Sequence, residues 1–81
     1  MSQKSILNWI MEHEGQSKRE DYFDTGRKTH HIVRYENGDS MQYIETYESM
    51  TRKHTETIIN NKTVKEEDLF FHCFGWKSTT L

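Results

Sequence analysis

The sequence predicts an α+β domain in which two helices cover one face of a three-stranded antiparallel meander, in the order α-β-β-β-α. Three observations predict it. Apolar residues recur at helical spacing near both ends, as Ile6, Leu7, Ile10 and Met11 and again as Leu69, Phe70, Cys73 and Phe74. The middle of the chain is rich in Thr, Tyr, Ile and Val. Asn37-Gly38 lies between two such runs, and Asn-Gly in that position is the strongest short-range hairpin signal.

The first helix is expected from Gln3 to Glu14, with Ser2 or Ser5 as N-cap and Gly15 to end it. Its apolar stripe is expected to be core, with Trp9 at the edge. Residues 16–28 are strongly polar and contain the turn signal Asp24-Thr25-Gly26, so a loop is predicted there, anchored by Tyr22 and Phe23. Strands are expected over Thr29 to Tyr35 and Met41 to Ser49. A two-residue turn between them would oppose Glu36 and Asp39, whereas a three-residue loop of Glu36-Asn37-Gly38 pairs Tyr35 with Asp39 and avoids that like-charge contact. The second register is expected.

A third strand is expected over His54 to Asn60, with Asn60-Asn61-Lys62 turning the chain. The last element reads as a helix from Lys65 to Phe74. Thr63 and Glu66 fit a capping box, Glu66, Glu67 and Asp68 suit the positive helix start, and Gly75 suits the C′ position. Trp76 would then fold back onto Phe71.

At 81 residues the chain is read as one small domain, 1–81, with 77–81 as a frayed tail. The hydrophobic share is 32% with no Ala, so the core should be few in members but bulky. Leu, Ile, Val and Phe together number 15, a level that suggests disorder only with a large net charge, and the net charge is -2. Cys73 is the only cysteine, which rules out an internal disulfide. With no secretory signal and no apolar run of membrane-spanning length, a soluble, cytoplasmic protein is expected. Asn61-Lys62-Thr63 is then a turn rather than a glycosylation site.

Chemistry finds little footing. His30 and His31 are adjacent on a strand and point to opposite faces, and His72-Cys73 would diverge on a helix, so neither pair forms a metal site. Cys73 in an apolar helical stripe reads as a small core residue. No nucleophile elbow, phosphate loop or dinucleotide motif occurs. No enzyme activity, metal or cofactor is therefore expected.

The placement of charge is more informative. Drawn as a meander, the chain brings Arg27, Lys28, His30 and His31 to the same sheet end as Arg52, Lys53 and His54. Glu36, Asp39, Glu66, Glu67 and Asp68 fall at the other. Tyr43 and Tyr47 share one face of the second strand, with Glu45 between them. These nine basic and aromatic residues form the expected binding surface, for a protein partner or for RNA or single-stranded DNA. Both Arg52 and Lys53 are expected to be exposed, and Phe70 and Phe74 to be core.

In size and composition, with many Ile, Lys, Asn, Tyr and Thr and no Pro, the chain resembles the short accessory proteins of AT-rich bacterial viruses. That resemblance implies a non-enzymatic inhibitor or modulator in the host cytoplasm. Its partner would be a host protein or ribonucleoprotein, such as a nuclease, toxin or defence complex. The alternative is a dedicated RNA or single-stranded DNA binder. A second copy of the chain is a further candidate partner.

Overall fold

A computed structural model of the chain describes residues 3–73 and 75–78. Among these residues one helix, α1 (Gln3–Glu12), precedes six strands: β1 (Lys18–Thr25), β2 (Lys28–Tyr35), β3 (Ser40–Tyr47), β4 (Arg52–Ile59), β5 (Lys62–His72) and β6 (Gly75–Ser78). The strands form a single antiparallel sheet in sequence order, with β1 and β6 at its edges. The expected α-β-β-β-α order is thereby corrected. The segment read as a second helix is β5, and most of the segment read as a loop is β1.

The reason for β5 is tertiary. A capping box and an acidic first turn each contribute on the order of 1 kcal/mol to a helix start, and a lone short helix is marginal in water. Against them stands the turn at Asn60 and Asn61, whose φ values of 49° and 67° are the left-handed pair that a tight two-residue hairpin requires. That turn sets Ile59 opposite Lys62 and lays the following residues along β4, with one bulge at Thr57/Ile58. Trp76 does meet Phe71, at 5.6 Å between ring centroids, but as a cross-strand neighbour in the β5–β6 hairpin. Cys73 is exposed in the turn between those strands and not part of an apolar stripe. Phe74 lies outside the described residues, as do 79–81 of the expected tail, while Lys77 and Ser78 belong to β6.

In β1 polarity hid the strand. Gly26, at φ 66°, takes the first position of a two-residue turn that pairs Thr25 with Lys28. Lys18, Arg19, Glu20, Asp21 and Asp24 then line a sheet edge, where charge discourages pairing with other chains. The β2–β3 loop is the expected three-residue one: the Tyr35 amide donates to Asp39 O at 2.9 Å and the Gly38 amide to Tyr35 O at 3.0 Å.

Helix α1 packs on the face that carries Tyr35, Val33, Met41 and Ile59. Its inward line is Ile6, Trp9, Ile10 and His13, with Ile6 and His13 buried and Trp9 and Ile10 half-buried, whereas Leu7 and Met11 are 50% and 63% exposed. The stripe is thus rotated from the expected one. Among the described residues Ile6, Val33, Tyr35 and Ile59 are the buried apolar side chains, so the core is concentrated beneath the helix. No helix among the described residues is long and apolar enough to cross a membrane.

Candidate functional site

Strand register decides which of the nine expected residues meet. Lys28, Thr46 and His54 form one row across β2, β3 and β4, and the Tyr47 amide donates to Arg27 O at 2.9 Å. Arg27, Lys28, Arg52 and His54 therefore share one end of the sheet. The acidic partition does not follow, because Asp68 is the cross-strand neighbour of His54 and Glu67 of Thr55. Only Glu36 and Asp39 lie at the far end. The basic residues are also split between faces: Lys28, His30, Arg52 and His54 point to the open face, His31 and Lys53 to the face that carries α1.

Lys53 departs furthest from expectation, being 8% exposed rather than a surface cation. Its Nζ donates to Glu45 Oε2 at 2.9 Å and stands 4.3 Å from the Trp76 ring centroid and 5.6 Å from that of Tyr47. The Tyr47 hydroxyl donates to the same carboxylate oxygen at 2.8 Å. Burial alone would raise the Glu45 carboxyl, but the bonds from Lys53 and Tyr47 outweigh it and hold the group below its usual range. The charge-assisted bond to Glu45 in turn pushes the Tyr47 phenol up. This ion pair braces the aromatic group of Tyr47, Trp76 and Phe71, whose rings meet edge to face.

The adjoining turn, residues 48–51, is ordered by its own hydrogen bonds. The Glu48 and Ser49 amides both donate to Arg52 O, and the Thr51 amide donates to Ser49 Oγ. The Phe71 amide donates to Thr51 O at 2.7 Å, so β5 is tied to the turn. At its tip Met50 is 93% exposed, and beyond it Phe71 is 50% exposed. Three shallow clefts open around this end. Arg27, Tyr47 and Met50 contribute to one of about 360 Å³, Arg52, Phe70 and Phe71 to one of about 410 Å³, and Arg52, Lys53 and Leu69 to one of about 430 Å³. Tyr43 lies farther back on the same face, in a cleft of about 370 Å³ against Ile6 and Ile10 of α1. Burial is the main cause that raises its phenol.

On the open face His54, Glu56 and Glu66 bring one ligand-type atom each within 4.8 Å of one another. His54 Nδ1 lies 2.8 Å from Asp68 and Nε2 3.5 Å from Glu66. The Asp68 bond, followed by the lesser effects of Glu66, raises the His54 imidazole, so a proton on His54 answers these carboxylates directly. This group has no place in a chain whose residues 65–74 form a helix. It takes its members from facing positions of β4 and β5. His31 lies 3.3 Å from Glu20 and stacks on Tyr22, while His30 stacks on Phe23. Cys73 Sγ is 3.2 Å from Nδ1 of its neighbour His72.

No protein-family model, curated protein or solved structure matches this chain.

Proposed function

We propose that the chain is a non-catalytic protein-binding module whose contact surface is the end built from Arg27, Tyr47, Met50, Arg52, Phe71 and Trp76. The observation that carries this reading is Met50, held out almost fully exposed by an ordered turn, between two arginines and beside an aromatic cluster. Aromatic residues, Met and Arg are the types enriched in protein interfaces, and an ordered turn reduces the entropy lost on binding. Within the resemblance to viral accessory proteins, the partner is a host protein or ribonucleoprotein, and binding inhibits it by covering its surface.

A nucleic-acid contact has less support. Phosphate binding draws on cations gathered along one groove, and here Lys53 is committed to Glu45 while His54 lies against Asp68. Immobilised chain incubated with nuclease-treated lysate should retain a protein, and Met50→Glu and Arg52→Glu should each release it with circular dichroism unchanged. Retention indifferent to both substitutions refutes this surface. Retention abolished by the nuclease shifts the reading to RNA or single-stranded DNA.

A further inference from the structure

The helix covers one face of the sheet and leaves the other open, and the register defines what the open face displays. Its central rows read Asp21, Ile32, Gln42, Ile58 and Thr63, then Phe23, His30, Ile44, Glu56 and Glu66. Ile32, Ile44 and Ile58 are diagonal neighbours on three adjacent strands, close enough to form one apolar patch, and all three are half-buried. Charge on either side of the patch is unequal. On β1 and β2 the open face carries Arg19, Lys28 and Arg34 against Asp21 alone. On β4 and β5 it carries Glu56, Glu66 and Asp68 against Arg52 alone. Glu56 and Glu66 are directly opposed across the strands, a costly like-charge arrangement, and no ion pair to Glu56 occurs among the described residues.

We infer that this open face is the interface of a symmetric dimer, with a second copy of the chain stacked on it. The operator follows from the pattern. A two-fold axis lying between the two faces and running along β3 places β2 of each copy over β4 of the other. Ile32 then meets Ile58, Ile44 lies near its own equivalent, His30 faces Glu56, and Lys28 faces the cluster of His54 and Asp68, all to within about a residue or two given the usual angle between stacked sheets. A two-fold axis across the strands would instead put β2 over β2 and set the basic margin against itself. The first arrangement covers the isoleucines, sets the His30 imidazole of one copy against Glu56 of the other, and lays the basic margin of β2, with Lys28, over the acidic margin of β4 and β5.

The area is sufficient. Five overlapping strands about 4.8 Å apart and about 27 Å long give roughly 600 Å² per copy, or about 1,200 Å² in all, the lower bound of stable interfaces. Stacking also completes a chain whose own core holds only four buried apolar side chains among the described residues. Rotation about β3 preserves strand direction, so the two Met50 turns project from the same edge of the dimer. A bivalent partner could engage both, with the gain in avidity that linked sites confer.

Sedimentation equilibrium of the full chain over a wide concentration range should give twice the 9.8 kDa chain mass. Ile44→Lys, on the open face and outside the core, should halve it with an unchanged circular dichroism spectrum. Glu56→Lys should weaken the dimer, and the double variant His30→Glu with Glu56→Lys should recover it, a pattern that holds even if Ile44→Lys misfolds. A monomer at every concentration overturns the proposal. So does a dimer that survives Ile44→Lys but is lost on Met50→Glu, since that dimer would use the turn end instead.

Discussion

Nε2 of His13, the residue after α1, lies 2.6 Å from Oδ2 of Asp39, and this contact ties the end of the helix to the β2–β3 loop. The other ring nitrogen, Nδ1, lies 2.6 Å from the carbonyl oxygen of Trp9. Both partners are acceptors only, so both bonds exist together only when the imidazole carries two protons. The ring also packs at a tilt against Trp9 and Tyr35, at 4.1 and 4.4 Å between centroids, and those two rings meet each other edge to face at 5.5 Å. Asp39 is positioned in turn by the side-chain amides of Asn37 and Asn60. His13 is thus the point at which helix, hairpin and the β4–β5 turn are joined.

A pH dependence follows from that geometry. The Asp39 bond first, then the Trp9 carbonyl, raise His13 above the ordinary 6.5 against the opposing effect of burial, and Glu12 adds a small effect of the same sign; the Tyr35 ring packs against the same imidazole. A raised histidine contributes stability that is fully present below 6.5 and is lost as pH rises through the folded-state value. The His13 bond, then those of Asn37 and Asn60, lower Asp39, whose contribution is present above its ordinary 3.8 and lost as pH falls through the depressed value. Thermal stability should therefore be highest in mildly acid solution and decline toward alkaline pH. In His13→Asn the alkaline decline should flatten. Melting temperatures of both proteins across that range test it, and parallel profiles would falsify the clamp.

Lys53 yields the sharpest stability prediction. Charge reversal at this position should not be tolerated as it would be at a surface site, because the ammonium lies inside the aromatic group with Glu45. Breaking a buried pair from one side costs about 3 kcal/mol or more, while replacing both members by apolar residues is often close to neutral. Lys53→Met should accordingly lower the urea midpoint by a stability loss of that order, and Lys53→Met with Glu45→Leu should recover most of it. Arg52→Glu, one residue away on the open face, should change stability by less than about 0.5 kcal/mol.

The rotated helix stripe can be checked by truncation. Ile59→Ala beneath the helix should cost about 2–5 kcal/mol, the usual range for a buried Ile. Leu7→Ala and Met11→Ala should stay within about 0.5 kcal/mol, since both side chains are exposed. Equal losses at Leu7 and Ile59 in urea titrations would return the stripe to the position expected from spacing alone.

The contrast between these elements shows what local sequence can encode. The β2–β3 hairpin is readable because Asn37-Gly38 and the Glu36/Asp39 conflict act over four residues. His13 was readable too, being seven residues after Ile6 and three after Ile10, but a histidine is easily counted as polar. Lys53 gave a weaker signal: Thr55, Thr57 and Ile59 follow it at period two, so an inward Ile59 implies an inward Lys53. The candidate site became partly visible because Arg27, Tyr47 and Arg52 flank one sheet end in any meander. Met50, in the link between two strands of that meander, lies at the same end, whereas Phe71 and Trp76 have no place there if residues 65–74 form a helix. The choice between helix and strand there is made by β4, a neighbour that no window over residues 62–72 contains.

That choice can be tested at the turn that enforces it. Asn60 is committed, since its Oδ1 accepts from the Ser40 amide and its Nδ2 donates to Asp39. Asn61 has φ 67° with no such role for its side chain in the described contacts, and glycine is the residue best suited to that conformation. Asn61→Gly should therefore raise stability by a few tenths to about 1 kcal/mol, with no change in helix content. Asn61→Val, a branched side chain in the left-handed region, should lower it by about 1–2 kcal/mol. If residues 65–74 were helical, neither substitution would matter to strand pairing, and Asn61→Val would leave amide exchange along β4 unaltered. Loss of protection at Ile58 and Ile59 in that variant is the expected result, because their ladder to β5 begins at this turn.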